Sequence, residues 1–317
     1  MDLEAVEAAA AELRAGRLVA FPTETVYGLG GDALNPESVA KIFSAKGRPT
    51  FDPLICHIAR ADELPKLARE VTEAAGRLAS RFWPGPLTLI LPKQPAVPDL
   101  VTAGEPTVGV RIPHHPIAGA LLEAFGGPIA APSANLFGAV SPTQADHIDA
   151  RLGAYVLDGG PCRVGVESTI VACLPGKPIT LLRPGGLARE ALEAEVGAIE
   201  VPPPRAFPSA SPGRLERHYA PATPLRLLDA PGVLEPRADV GYLAFSTPPP
   251  PGYGAVEVLS PTGRLPEAAQ RLFAALRRLD RAGLTRLVAE PVPEEGLGVA
   301  IMDRLRRAAT LPNPRVS

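Results

Sequence analysis

The 317-residue sequence has little of what stabilises or exports small secreted proteins. It has three cysteines, Cys56, Cys162 and Cys173, which are odd in number, far apart and never in C-x-x-C spacing. They support neither a disulfide framework nor a cysteine-rich zinc site. Aromatic residues make up 5% of the chain, with one tryptophan. No apolar run approaches the ~18 residues of a membrane-spanning helix, so no membrane association is expected. The N-terminal Met-Asp-Leu-Glu-Ala-Val-Glu is acidic and amphipathic, unlike a signal peptide. A cytoplasmic protein is expected. Strong charge of either sign is also missing, since the formal net charge is −2. Residues 1–200 carry 17 Lys and Arg against 23 Asp and Glu, whereas residues 201–317 carry 15 against 11. Neither part has the charge density of a dedicated nucleic-acid binder, and any RNA contact would be a local patch. The G-x-x-x-x-G-K-[ST], H-E-x-x-H and G-x-S-x-G motifs are absent, and no Cys–His pair is evident. An enzyme of this composition works by positioning and charge rather than through a covalent nucleophile.

Proline is present in excess. There are 39, about 12% of the chain against a usual ~5%. Proline breaks helix interiors, which excludes a long all-helical bundle. A hydrophobic content of 46% suffices for a core. At ~100–200 residues per domain, the length allows one large domain or two modest ones.

Periodicity predicts helices over 3–15, 36–46, within 62–82, 117–125 and 143–148. It predicts strands over 18–21, 54–58, 87–91, 107–112, 129–131, 155–158, 168–172 and 179–182. Asn35-Pro36 reads as an N-cap followed by proline at the first helical position. Strands and helices mix without strict βαβ alternation, so a mixed α/β sheet is expected. Residues 201–222 form a Pro/Ser/Gly linker carrying Arg217-His218-Tyr219. Beyond it, strands over 225–228, 240–244, 255–259 and 286–289 alternate with helices over 265–280 and 298–309, as in a small parallel α/β domain. The expected division is 1–200, a linker and lid over 201–222, and 223–317.

Four segments carry candidate chemistry. Pro22–Ala33 contains Gly28-x-Gly30-x-x-Ala33, a relaxed dinucleotide fingerprint. That fingerprint belongs at a strand-to-helix turn, whereas here the strand ends at Pro22 and the helix begins near Asn35. A polar loop with Thr23, Glu24, Thr25 and Tyr27 facing a small substrate is the alternative. Lys46-Gly-Arg-Pro49 closes a helix in the ordinary way, with a cation in its last turn and glycine after it. That ending leaves Arg48 unexplained, as it does His57 in an apolar strand. Lys46 and Arg48 together suit a triphosphate, as point charge and planar fork. Arg111 sits in an apolar strand and needs either a fixed carboxylate such as Glu167 or an anionic ligand. Ala131-Pro-Ser133-Ala-Asn135 and Ser141-Pro-Thr143 offer turn and N-cap hydroxyls, which also suit phosphate and ribose contacts.

Together these segments resemble the Sua5/YrdC family, the threonylcarbamoyl-AMP synthases. The match covers Phe21–Gly31, Lys46–Ile58, Phe82–Leu91, Thr107–Pro113, Ala131–Thr143, Glu167–Thr169 and Leu182–Gly186. His218-Tyr-Ala-Pro221 and Gly296–Ala308 resemble elements of the longer, two-domain Sua5 form. The resemblance implies a YrdC-like mixed, twisted sheet with helices, followed by a smaller parallel Rossmann-like α/β domain. It implies formation of threonylcarbamoyl-AMP and pyrophosphate from L-threonine, bicarbonate and ATP, with Mg²⁺ accompanying the nucleotide. The product would pass to a downstream tRNA threonylcarbamoyl transferase that modifies adenosine 37.

By resemblance, Lys46, Arg48, Ser133 and Asn135 mark the active site. Thr25, His57, Arg111, Ala131 and Ser168 match threonine positions. Arg48, Asp52, Thr107, Ser133, Ser141, Arg183 and Tyr219 match ATP positions. Two residues depart from the family pattern: Asp52 stands where Asn is usual, and Phe137 where Ser is usual. Rival readings are a hydrogenase-maturing carbamoyltransferase, an NAD-dependent enzyme, and a non-enzymatic RNA-binding or ribosome-maturation factor on the same fold.

Overall fold

Asp2 starts helix α1 (Leu3–Arg14) by accepting a hydrogen bond from the Ala5 amide, and Val6, Ala9, Ala10 and Leu13 form its buried stripe. The computed structural model of the protein describes residues 2–203, 218–231 and 235–310. After β1 (Val19–Phe21) and β2 (Gly28–Asp32), Asn35 caps α2 (Pro36–Lys46) through the amides of Glu37 and Ser38. Gly47, at φ 61°, ends α2 in the left-handed region that glycine tolerates. The chain continues through β3 (Ile55–His57), α3 (Glu73–Phe82), β4 (Leu87–Pro92), α4 (Asp99–Thr102), β5 (Thr107–Arg111), α5 (Pro116–Phe125) and β6 (Ile129–Ala130). Then follow β7 (Tyr155–Val156), β8 (Thr169–Ala172), β9 (Thr180–Arg183) and α6 (Arg189–Val196).

The nine strands form one sheet in the order β7-β1-β2-β6-β3-β5-β4-β8-β9. Parallel pairs (β3 with β5, β4 with β8) and antiparallel ones (β2 with β6, β4 with β5) both occur, so the sheet is mixed as expected. Its last bridge joins Thr180 to Glu200.

The second unit contains β10 (Leu225–Leu227), β11 (Val240–Ala244), β12 (Ala255–Val258), α7 (Leu265–Asp280), β13 (Arg286–Ala289) and α8 (Gly298–Ala309). Its four strands are all parallel, in the order β10-β13-β11-β12. No helix among the described residues is long and apolar enough to cross a membrane.

Several local expectations change. The glycine run 28–32 is a strand, because glycine is what its packing admits. A Cβ on Gly30 would lie 2.8 Å from Ile129 and 2.9 Å from the Phe21 ring. One on Gly31 would lie 2.8 Å from Ser38 Oγ. These glycines serve close packing, not a dinucleotide turn. The helix expected over 143–148 is a single 3₁₀ turn, Ala145–His147, and the Thr143 amide donates to His147 Nδ1 at 3.2 Å. Helices α4 and α6 carry no clear periodicity in the sequence. Most of the segment expected to form a lid, residues 204–217 with Arg217, lies outside the described residues. Its C-terminal end is described: His218 and Tyr219 are buried, and Ala220 donates to the Gly138 carbonyl at 2.9 Å.

Candidate active site

Strand ends and connections on one side of the large sheet line an open cleft. The β1–β2 connection supplies Thr23, Thr25 and Val26, and β3 supplies Ile55 and His57. Arg111 ends β5, Ala131 to Ser133 follow β6, Glu167 and Ser168 precede β8, and Arg183 ends β9. Gly28, Arg48, Pro53, His218 and Tyr219 complete the lining.

At one end of the cleft, His57 and Arg111 are register partners on adjacent parallel strands, so their side chains share a face. Arg111 Nη1 donates to Thr25 Oγ1 at 3.0 Å, and Thr25 Oγ1 lies 2.8 Å from Thr23 Oγ1. The carboxylate beside Arg111 is Glu24, with Oε2 2.6 Å from Nη2. The expected partner, Glu167, is engaged elsewhere. Sequence reading placed Glu24 in the polar loop but gave no sign of this pairing, which depends on how the β1–β2 connection folds across the end of β5. The contact is close without being a well-aligned hydrogen bond, and both groups are buried. Burial, with Arg111 adjacent, pushes the His57 imidazolium down to about 3, so the ring is neutral at ordinary pH.

At the other end, Arg48 follows the Gly47 turn, and its Nη2 lies 2.9 Å from Asp52. Its Nε donates to the Asp52 carbonyl at 3.1 Å and its Nη2 to the Pro53 carbonyl at 3.0 Å. Arg183 Nη2 donates to the Ser168 carbonyl at 2.9 Å and to Ser168 Oγ at 3.2 Å. Glu167 Oε1 accepts from Ser141 Oγ at 2.6 Å, and its Oε2 accepts from Arg304 Nε of α8 at 3.0 Å. Tyr219, at φ 62°, stacks on Phe273 of α7 with ring centroids 5.7 Å apart. Burial, then the cations Arg48, Lys46, Arg183 and Arg307, push His218 well below the usual imidazole range.

Nine of the sequence candidates line the cleft: Thr25, Arg48, His57, Arg111, Ala131, Ser133, Ser168, Arg183 and Tyr219. Five do not. Lys46 Nζ donates to the Ser133 carbonyl at 2.5 Å and also to the Asn135 carbonyl. Burial, then neighbouring Arg48, lower its pKa well below the usual lysine value. Asn135 Nδ2 donates to the carbonyls of Leu136 and Ala139 at 2.8 and 2.9 Å. Lys46 and Asn135 therefore shape the 131–139 loop, while Arg48 and Ser133 face the cleft. Asp52 sits behind Arg48, and Ser141 behind Glu167. Thr107 shares the Arg111 face of β5 but lies four residues along it, about 13 Å away at the usual rise.

The polar loop expected to face a substrate does bring Thr23 and Thr25 to the cleft and Glu24 beside it, whereas Gly28, Pro53, Ile55, Pro132 and Arg304 were not singled out for these places. Apolar and glycine lining leaves no chemical signature, and Arg304 lies 137 residues from Glu167 in sequence. Among the described residues no group of three or more His, Cys, Asp and Glu could hold a metal ion.

The family profile of the Sua5/YciO/YrdC group, described as "Telomere recombination", matches residues 11–185. A second profile, "Threonylcarbamoyl-AMP synthase, C-terminal domain", matches residues 187–310. The threonylcarbamoyl-AMP synthase of Pyrococcus abyssi is 44% identical, with 96% of this chain and 94% of that protein aligned. The synthase of Bacillus subtilis is also 44% identical, over 95% of this chain and 92% of its own. The crystal structure of P. abyssi Sua5 complexed with L-threonine aligns at TM-score 0.88 and 42% identity, covering 98% of this chain and 95% of that one.

Proposed function

The chain belongs to the Sua5/YciO/YrdC family of threonylcarbamoyl-AMP synthases, and on that footing we propose that it makes threonylcarbamoyl-AMP from L-threonine, bicarbonate and ATP. The observation that carries the reading is a single cleft with separate cationic ends, Arg111 at one and Arg48 with Arg183 at the other. The threonine complex of the P. abyssi relative supports an amino-acid site at one of them.

In this reading the threonine carboxylate meets Arg111, held by Glu24 and Thr25. Neutral His57 completes that end without offering a competing nucleophile, and Ser168, held by Arg183, stands between the two ends. The threonine amine and bicarbonate form a carbamate with loss of water. A carbamate oxygen then attacks the α-phosphorus, and the bond to the β-phosphate oxygen breaks to release pyrophosphate. Negative charge spreads over the phosphates in this step, and preorganised donors offset it without reorganising. Arg48, Arg183 and Ser133 take that role. Asp52 and Pro53 fix the Arg48 fork, and Lys46 and Asn135 fix the loop that presents Ser133. Thr107 would be reached only by the far part of the nucleotide. Mg²⁺ would be carried by the nucleotide's phosphate oxygens, its usual hard ligands, and would supply further charge neutralisation there.

The product serves a downstream transferase that modifies adenosine 37 of tRNA in the cytoplasm. A direct tRNA contact would be local and weak. A non-enzymatic RNA-binding factor would have no use for a cleft with two buried arginine ends. Pyrophosphate release tests the proposal. It should require ATP, threonine and bicarbonate together, and release in the absence of threonine or bicarbonate would overturn it.

A further inference from the structure

Helix α8 belongs to the second unit, yet Arg304 on it is fully buried against the first. Its Nε donates to Glu167, and its Nη1 donates to the Pro184 carbonyl at 2.6 Å. Its guanidinium lies 5.3 Å from the centroid of the Tyr219 ring. Arg304 thus touches the segment that delivers Glu167 and Ser168, the one that delivers Arg183, and Tyr219. The two units share a core here. Val26, Val140, Val166 and Tyr219 lie in one apolar cluster with α7 and α8 residues such as Leu272 and Ile301. A Cβ on Gly165 would lie 2.4 Å from the Ala269 carbonyl of α7. The chain from Val164 to Glu167 is therefore clamped by backbone packing from α7 and by charge from α8.

Glu167 is a carboxylate in the wall of a cleft that, in the reading above, receives a triphosphate. An unpaired buried carboxylate would repel the phosphates and would be costly to bury in its own right. We propose that Arg304 is a positioning residue: it neutralises and fixes Glu167 so that the nucleotide end of the cleft accepts ATP. The second unit thereby sets nucleotide affinity through one guanidinium that need not touch the nucleotide. This assigns to the C-terminal unit a role in ATP binding, and it rests on the proposed activity.

The test uses the full chain, with MgATP affinity read by titration calorimetry, which needs no turnover, and pyrophosphate release read beside it. Arg304→Met should weaken MgATP binding by about 30-fold, the lower end of the effect of truncating one partner of a buried charge pair at a binding site, and move the KM for threonine by less than about threefold. Arg304→Lys should recover part of the loss. The double variant Glu167→Gln with Arg304→Met should bind MgATP at least about tenfold more tightly than Arg304→Met alone, because a neutral amide needs no cation. A general structural weakening predicts neither the split between ATP and threonine nor that recovery. Equal MgATP affinity in the unaltered chain and Arg304→Met would overturn the inference alone. An unaltered chain that binds no MgATP would overturn the functional reading with it. Should Arg304→Met fail to fold, the lysine and double variants decide. In that case, MgATP binding by the double variant more than about threefold weaker than by the unaltered chain would overturn the inference.

Discussion

The two sheets bring polar groups to one cleft in opposite ways. The nine-stranded sheet uses the ends of its strands and the loops between them, so each group is fixed by backbone register. His57 faces Arg111 because β3 and β5 pair there. The four-stranded sheet contributes through the helices packed on it, and its deepest contribution is one long side chain, Arg304. The first arrangement places reacting partners. The second adjusts the charge of a wall that is already built. The difference teaches that burial of charge in this cleft is compensated locally. Arg111 has Glu24, Arg48 has Asp52, and Glu167 has Arg304.

Breaking the first arrangement should have the largest effect. Arg111→Ala is expected to lower kcat/KM for threonine by at least about 100-fold, since it removes the ligand's cation and strands a buried Glu24. The affinity for MgATP should stay within about threefold. Steady-state pyrophosphate release with threonine varied, beside ATP calorimetry, checks this. An equal loss in both would erase the distinction between the two ends.

Lys46→Met comes next. It leaves the Asn135 carbonyl without its donor and the Ser133 carbonyl with only the Asn135 amide, at a cost of about 1–3 kcal/mol in folding stability. Denaturant unfolding reads it, and an unchanged midpoint would show that the loop does not depend on Lys46. Gly165→Ala probes the seam between the sheets. It meets the Ala269 carbonyl and a φ of 80°, so about 1–3 kcal/mol should be lost in the same measurement. A stability equal to the parent's would mean that the seam is loose.

The last effect appears only when the pH is lowered. The His57 imidazolium is held at about 3 in the fold against an ordinary 6.5. Between those values the unfolded chain binds the proton and the folded chain does not. The stabilising contribution of His57 is therefore full above 6.5 and falls as pH drops toward 3. His57→Gln should flatten the fall in melting temperature between pH 6.5 and 4. An unchanged slope would place the acid sensitivity elsewhere, with His218 the next candidate.

The second unit's elements were the more legible in the sequence, and its contribution to the cleft the less so. Helices 265–280 and 298–309 carry strong amphipathic periods, and their observed limits agree. Arg304 on the second of them reads only as a helix cation, because nothing local marks a partner 137 residues away. The first unit shows the reverse. Its β2 was hidden by glycine, which lacks the side chain that strand patterning relies on, and its short 3₁₀ turn at 145–147 looked like a helix after Ser141-Pro142. Yet Arg48, His57 and Arg111 stood out, because each is a polar group that its local surroundings do not explain. The pairs Lys46/Arg48 and Ser133/Asn135 were legible as pairs. Which member faces the cleft was not, since that depends on the carbonyls of the 131–139 loop.

The three cysteines have a practical consequence. All are buried, and burial pushes each thiol up to about 12. Thiolate is the reactive form, so the native chain offers alkylating dyes almost nothing to react with. Cysteines introduced at exposed positions on the two units, such as Leu34→Cys and Val256→Cys, would take up maleimide fluorophores against a silent background. Energy transfer between such dyes would report the separation of the two sheets during turnover, with every native cysteine left in place.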